Sequence, residues 1–127
     1  MESMAQDKAI SQMTDIVMPH MANHYGTMFG GTLVAMMDKA AYLAATRHTG
    51  LDCVTVHIGN ISFSKPAKLG DVVIAEAHVV ETGTTSIKIA VSVRSERFGK
   101  SEMLIDRALF VFVAVDKSGK PTTITKQ

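Results

Sequence analysis

Asn23, Gly30, Gly31 and Asp38 are the residues whose types and spacing suit chemistry in this 127-residue chain, within the run NHYGTMFGGTLVAMMDKAA. From Phe29 to Arg47 there is no proline and the only glycines stand at the start, which predicts a helix that begins at the glycine pair and ends at Gly50. The first N–H groups of a helix lack intrahelical partners and carry the positive end of its dipole. Glycines there let a carbonyl oxygen come close, so Gly30 and Gly31 are candidate donors to an oxyanion. The competing reading is that they are small only so that helix and sheet can pack. Asp38 interrupts an apolar stripe, between Val34 and Tyr42 at four-residue spacings. A lone buried carboxylate must be paired, wet or functional. The bland alternative is a surface Asp beside a Lys or Arg, and Lys39 shows that part of the helix meets solvent. Asn23 is placed to position a water or a substrate, or simply to make a loop turn.

Other reactive types point to less. His20, His24, His48, His57 and His78 show no ligand spacing, and no metal is expected. Cys53 is the only cysteine, which excludes an internal disulfide and reads as a small core hydrophobe. Met28, Met36 and Met37 suit gaps in a core or subunit interface, or the wall of an acyl tunnel. Thirteen Lys and Arg against twelve Asp and Glu give a net charge of +1, without the excess a nucleic-acid binder needs. The start, MESMAQDKAI, has neither a basic cluster nor an apolar run, so no signal peptide is expected. No window reaches the ~20 apolar residues of a membrane span. No nucleic-acid or membrane partner is expected, and the expected compartment is the cytoplasm.

The elements that must hold these residues follow from periodicity. Leu33, Met36, Met37, Ala40 and Ala44 form one helical stripe, and Val34, Ala41, Tyr42 and Ala45 another. Ile87, Ile89, Val91 and Val93 alternate with Ser86, Lys88, Ala90, Ser92 and Arg94 as a strand with one buried face and one wetter. Val72–Val80 is dense in β-branched residues, Val54–Phe63 reads as a strand closed by Lys65-Pro66, and ALFVFVAV at Ala108–Val115 suits a strand buried on both faces. The short connections among the later strands leave no room for crossover helices, so a mainly antiparallel sheet is expected. The expected fold is one α+β domain over 1–127, with the sheet curled around the helix. Two layers of this size leave apolar faces open, which favours a homo-oligomer.

The run PHMANHYGTMFGGTLVAMMDKAAYLAATRH resembles the opening signature of hotdog-fold acyl-CoA thioesterases, in particular the cytosolic acyl-CoA thioester hydrolase family. Matches continue in order at Val54-Thr55, Phe63 with Pro66, Gly70-Asp71, Gly83-Thr84-Thr85-Ser86 and FVFVAVDKSGKP. The resemblance implies the hotdog fold, about five antiparallel strands around one long central helix. It implies hydrolysis of acyl-CoA to free acid and CoA, with no cofactor beyond the CoA of the substrate. Asp38 matches the family's catalytic acid, as general base toward water or as nucleophile through an anhydride. Asn23 is implied to act with that Asp across a dimer interface, and relatives form tetramers and hexamers. The Gly83, Thr84, Thr85 and Ser86 turn is implied to lie near CoA. Lys65, Lys68, Arg94, Arg97 and Lys100 are candidates for its phosphates. One departure is Gly59, which stands where many members carry an acidic residue. The alternatives are a hotdog enoyl-thioester hydratase or dehydratase using His24, and a non-catalytic acyl-CoA binding module.

Overall fold

A computed structural model describes residues 9–125; the first eight residues, most of the stretch on which the signal-peptide reading rests, lie outside the described residues. The elements are β1 (Ser11–Ile16), a 3-10 turn (Pro19–Met21), helix α1 (Gly30–Thr49), β2 (Asp52–Ile58), β3 (Val72–Thr82), β4 (Ser86–Arg97) and β5 (Lys100–Val115). The strands form one antiparallel sheet in the order β1-β3-β4-β5-β2, and α1 packs against all five. One helix touches five strands only if the sheet wraps it, which is the hotdog arrangement.

Small residues make that wrapping possible. Ala40, Ala41, Ala44 and Ala45 are buried on α1 and let the sheet approach, while Phe110, Phe112, Ile87 and Ile89 fill the space opposite. Leu33 and Met37 complete the buried stripe. The second expected stripe splits: Ala41 and Ala45 are buried, whereas Val34 and the Asp38 between its members are half-buried and Tyr42 is exposed. The helix is therefore enclosed on one flank and open on the other.

Three strand readings are corrected. The expected strand from Val54 to Phe63 begins at Asp52 and leaves the sheet after Ile58, where Gly59 N donates to Leu109 O at 2.8 Å. A Cβ on Gly59 would meet that same carbonyl at 3.3 Å, so a side chain at this position presses on β5. Strand β5 starts at Lys100, eight residues before the apolar run, because irregular register opposite Val91, Val93 and Arg94 breaks the alternation there. Within Ala108–Val115 the residues Ala108, Phe110, Phe112 and Ala114 are buried while Leu109, Val111 and Val113 stay half-open, so only one face is closed. Strand β1 had no sequence signal: SQMTDI is a mostly polar edge strand whose one fully buried side chain is Ser11.

Helix α1 ends where expected. Gly50 adopts φ 70° and ψ 15°, and its N–H reaches Thr46 O at 2.8 Å. That left-handed cap favours glycine. Gly50→Ala is expected to cost about 1 kcal/mol, a drop of a few degrees in Tm by calorimetry, with no change in far-UV circular dichroism.

Candidate functional site

The loop before α1 is held from both sides. Asn23 N donates to Thr27 O at 2.8 Å, Gly26 N to Asn23 O at 3.0 Å, and Gly26 sits at φ +79°. Met28 N donates to Ala67 O at 2.8 Å and Leu69 N to Gly26 O at 2.9 Å, which pins the loop to the chain entering β3. Asn23 Oδ1 accepts from Tyr25 N at 2.9 Å, Thr27 N at 3.2 Å and Thr27 Oγ1 at 3.2 Å. Backbone N–H groups only donate, so the atom facing them is the oxygen. Asn23 thus makes the loop turn with its oxygen and presents Nδ2, which has no recorded partner among the described residues, as a donor.

Phe29 caps the helix by position, but no side chain bonds the first turn among the described residues. Gly30 and Gly31 are exposed. A Cβ added at Gly31 would meet nothing within 4 Å, and one at Gly30 would touch only the Phe63 ring, at 3.5 Å. Internal packing therefore does not require either glycine, and the packing explanation fails. Beside them runs a groove of about 320 Å³, lined by Met28, Gly30, Leu33, Phe63, Pro66 and Ala67 among others.

Asp38 lies two turns further on, over the free edge of the sheet. Thr55 Oγ1, on the edge strand β2, donates to Asp38 Oδ1 at 2.8 Å. No Lys or Arg pairs with Asp38 among the described residues, so the ordinary surface ion pair is absent there. Oδ2 is left open. Thr55 was not anticipated as a site residue; it adjoins an irregularity in register between Thr55 and His57, a feature that re-aims side chains. One turn along, Tyr42 OH donates to Asp52 Oδ1 at 2.9 Å, and this bond pushes the Tyr42 hydroxyl above its usual pKa. The two bonds fasten the open flank of α1 to β2, whose Val54, Val56 and Ile58 are exposed.

The site residues are not all brought together. Gly30 and Asp38 are eight residues apart, about 12 Å along the axis at 1.5 Å per residue. The Gly83–Ser86 turn lies at the other end of α1, where Thr82 Oγ1 is 3.5 Å from His48 Nε2. In that turn Gly83 N donates to Ser86 O at 2.7 Å, and a Cβ on Gly83 would strike Ser86 Oγ at 2.8 Å. Three of the phosphate candidates are engaged: Lys65 with Glu102 at 2.9 Å, Arg94 with Glu76 at 2.9 Å, and Arg97 with Asp71 at 2.7 Å. Lys68 and Lys100 have no ion pair among the described residues. His24 is exposed and stacks on Tyr25 at 4.1 Å between ring centres. Among the described residues no group of three or more His, Cys, Asp or Glu is arranged to hold a metal, and no helix is long and apolar enough to cross a membrane.

A family model described as the thioesterase superfamily matches residues 25–100, the span that holds the glycine loop, α1 and most of the sheet. The acyl-CoA thioester hydrolase YciA of Salmonella typhimurium is 37% identical over 117 residues, covering 88% of this chain and 87% of that protein. A hexameric thioesterase from Yersinia pestis superposes with a TM-score of 0.86 at 33% identity, over 91% of this chain and 94% of its own. An acyl-CoA hydrolase from Staphylococcus aureus, solved in complex with butyryl coenzyme A and with coenzyme A, superposes with a TM-score of 0.85 at 34% identity, over 92% of this chain and 72% of its own. With a superfamily match across more than half its length and relatives of this identity and coverage, the chain belongs to the thioesterase superfamily, among its hotdog acyl-CoA thioester hydrolases.

Proposed function

We propose that this chain hydrolyses acyl-CoA to a free carboxylic acid and CoA at a site shared by two copies. The observation that carries the reading is the placement of Asp38: one oxygen is held by Thr55, the other is open, and the residue overhangs an unpaired sheet edge. At about 12 Å along the helix axis, it is too far to attack a carbonyl held by its own glycine pair. A second copy docked on the exposed β2 edge brings its own Asp38 to that carbonyl. An open strand edge bearing Val54, Val56 and Ile58 is the surface such a copy would cover. Relatives described as hexameric support assembly, with the dimer as the minimal unit.

Each group then has a task. The thioester oxygen sits at the Gly30 and Gly31 N–H groups, which stabilise the charge that forms on it. Asn23 Nδ2 of the same copy donates to the water or the thioester and holds it in line. Asp38 Oδ2 of the other copy takes a proton from water, the hydroxide attacks the carbonyl carbon, and the C–S bond breaks. CoA leaves as the thiol with the proton returned from Asp38. Direct attack by Asp38 through an anhydride uses the same placement; 18O found in Asp38 after a single turnover in H2 18O identifies that route, because water opening the anhydride at the Asp38 carbonyl leaves its oxygen there and the general-base route never does. The Gly83–Ser86 turn of the Asp38-bearing copy, ten residues further along that helix at His48, lies about 15 Å on and within range of the pantetheine arm. The reaction needs no metal or further cofactor, and the proposed compartment is the cytoplasm. An enoyl-thioester hydratase would want His24 beside a carboxylate, whereas its recorded ring contact is with Tyr25.

Asp38→Asn keeps shape and removes the base; kcat on a panel of acyl-CoAs is expected to fall about 10²–10⁴-fold with the fold intact, and full activity would refute the assignment. Gly31→Ala, whose Cβ meets nothing within 4 Å, keeps the N–H but crowds the carbonyl's approach to it, and is expected to leave Tm unchanged or slightly raised while kcat/KM drops by about tenfold or more. The shared site gives a sharper check. When Asp38→Asn and Gly31→Ala chains are unfolded together and refolded, half of the dimers are mixed and each carries one intact site. Roughly one quarter of wild-type activity should return. A site built within one chain would recover none.

A further inference from the structure

Among the described residues Asp71 is the only charged residue that is buried, at 7% exposure. The Gly70-Asp71 pair stands out in the sequence, yet the site as built so far gives it no task. A buried ion pair seldom adds net stability, since apolar residues of similar volume often serve as well, so a carboxylate kept here calls for a reason of position. Each of its polar atoms is engaged. Oδ2 accepts from Lys68 N at 2.9 Å and Oδ1 from Arg97 Nε at 2.7 Å. The Asp71 N–H reaches Lys68 O at 2.9 Å, and its carbonyl accepts from Val17 N at 2.8 Å. Arg97 also donates to Leu69 O, and a Cβ on Gly70 would lie 2.6 Å from Arg97 Nη2, so the guanidinium rests on the turn itself. Gly70, at φ +92°, supplies the backbone conformation which that turn requires.

The other side of the same turn holds the loop before α1. Backbone bonds tie residues 22–28 to a distant part of the chain at Met28 N to Ala67 O, 2.8 Å, and at Leu69 N to Gly26 O, 2.9 Å. Both fall on the strip that Asp71 caps. Between them Thr27 lies opposite Lys68 in an antiparallel bridge. Thr27 is in turn the residue whose N–H and Oγ1 each hold Asn23 Oδ1 at 3.2 Å. A path of neighbouring groups therefore runs from Arg97 through Asp71, Lys68 N and Thr27 to the side-chain amide of Asn23.

We infer that Asp71, with Arg97 as its counter-charge, is a positioning residue for Asn23. It fixes where Lys68 and Thr27 stand, and so the direction in which Asn23 Nδ2 is presented. The inference rests on the thioesterase reading above, in which that nitrogen meets the water or the thioester. It gives the buried carboxylate a role in turnover, although Asp71 acts only through other residues.

Asp71→Asn keeps the shape but has one acceptor oxygen for two donors, so either Lys68 N or Arg97 loses its partner. Its kcat on a short-chain acyl-CoA is expected to fall about tenfold, with KM within about twofold of the wild type. Asn23→Asp keeps the oxygen that makes the loop turn and removes the donor. In that background Asp71→Asn should change kcat by less than about twofold, because the group it positions is gone. Arg97→Gln, at an exposed side chain, should lower kcat more weakly and also lose its effect in Asn23→Asp; it decides the matter should Asp71→Asn fail to fold. Gly50→Ala is the control for stability, lowering Tm while leaving kcat unchanged. An unchanged kcat in Asp71→Asn, or an equal loss in both backgrounds, overturns the proposal. NMR of the substrate-free protein reads the positioning without turnover. The Asn23 side-chain amide resonances, assigned by their loss in Asn23→Asp, should shift or broaden in Asp71→Asn and Arg97→Gln and stay fixed in Gly50→Ala. Resonances unmoved in Asp71→Asn refute the role. If the wild type hydrolysed no acyl-CoA, the thioesterase reading would fall alone, and these resonances would still judge the positioning.

Discussion

A helix advances about 1.5 Å per residue, and that rise governs how the groups of the proposed site can meet. Helix α1 carries both the glycine pair and the carboxylate, yet eight residues of rise hold them apart. No adjustment of side chains within one chain closes a gap of about 12 Å. In the proposed site the two halves serve one carbonyl only if another copy supplies the missing half, and the open features of the chain are compatible with that proposal. The flank of α1 bearing Val34, Asp38 and Tyr42 is only partly covered, and β2 beside it has no neighbour on its outer side among the described residues. The outward face of β5, with Leu109, Val111 and Val113, is half-open as well. Apolar surface and an unpaired edge are liabilities for an isolated chain and become useful when an interface covers them.

The sheet serves the helix in a complementary way. Alanines at 40, 41, 44 and 45 let the strands wrap closely, which places the edge strand β2 under the open flank of α1. Thr55 is thereby carried to Asp38 from 17 positions away in sequence. The loop that starts α1 is secured separately, by Ala67 and Gly26 backbone groups that tie it to the entry of β3. Asp71, buried and bonded through Oδ2 to Lys68 N and through Oδ1 to Arg97, fixes that entry. The loop that starts α1 and the β4–β5 hairpin are thus braced by one carboxylate.

Much of this was legible in the sequence wherever a pattern is local. The helix, its glycine cap at Gly50 and the alternation of Ile87, Ile89, Val91 and Val93 are near-neighbour signals, and each stands where it was expected. Long-range features were not legible. Strand β1 is an edge strand whose partner, β3, lies some sixty residues on, so its polar residues give no periodic cue. The first half of β5 is obscured by irregular register, which places Leu104 and Ile105 side by side in the core. Asp38 was conspicuous as a misplaced charge, but its partner Thr55 was not, because a threonine in a strand is unremarkable until a helix is laid over it. The apolar run at Ala108–Val115 suggested burial on both faces; its outer face is open in one chain, since no layer covers it there.

Two polar side chains at the site share one design. Asn23 has two polar atoms, of which the oxygen is held by three donors inside its loop while the nitrogen has no partner among the described residues. Asp38 likewise has one oxygen fixed by Thr55 and one left open. In each case the anchored atom sets the direction of the free one, so no rotamer freedom has to be frozen when substrate arrives. The two free atoms are also chemically opposite, a donor on Asn23 and an acceptor on Asp38, and one water molecule can accept from the first while giving its proton to the second. The glycine N–H groups complete the set with donors that have no side chain to orient at all. In the proposed site, preorganisation comes from tying half of each functional group into the fold, and the proposal leaves the distance between the two halves to be closed by assembly.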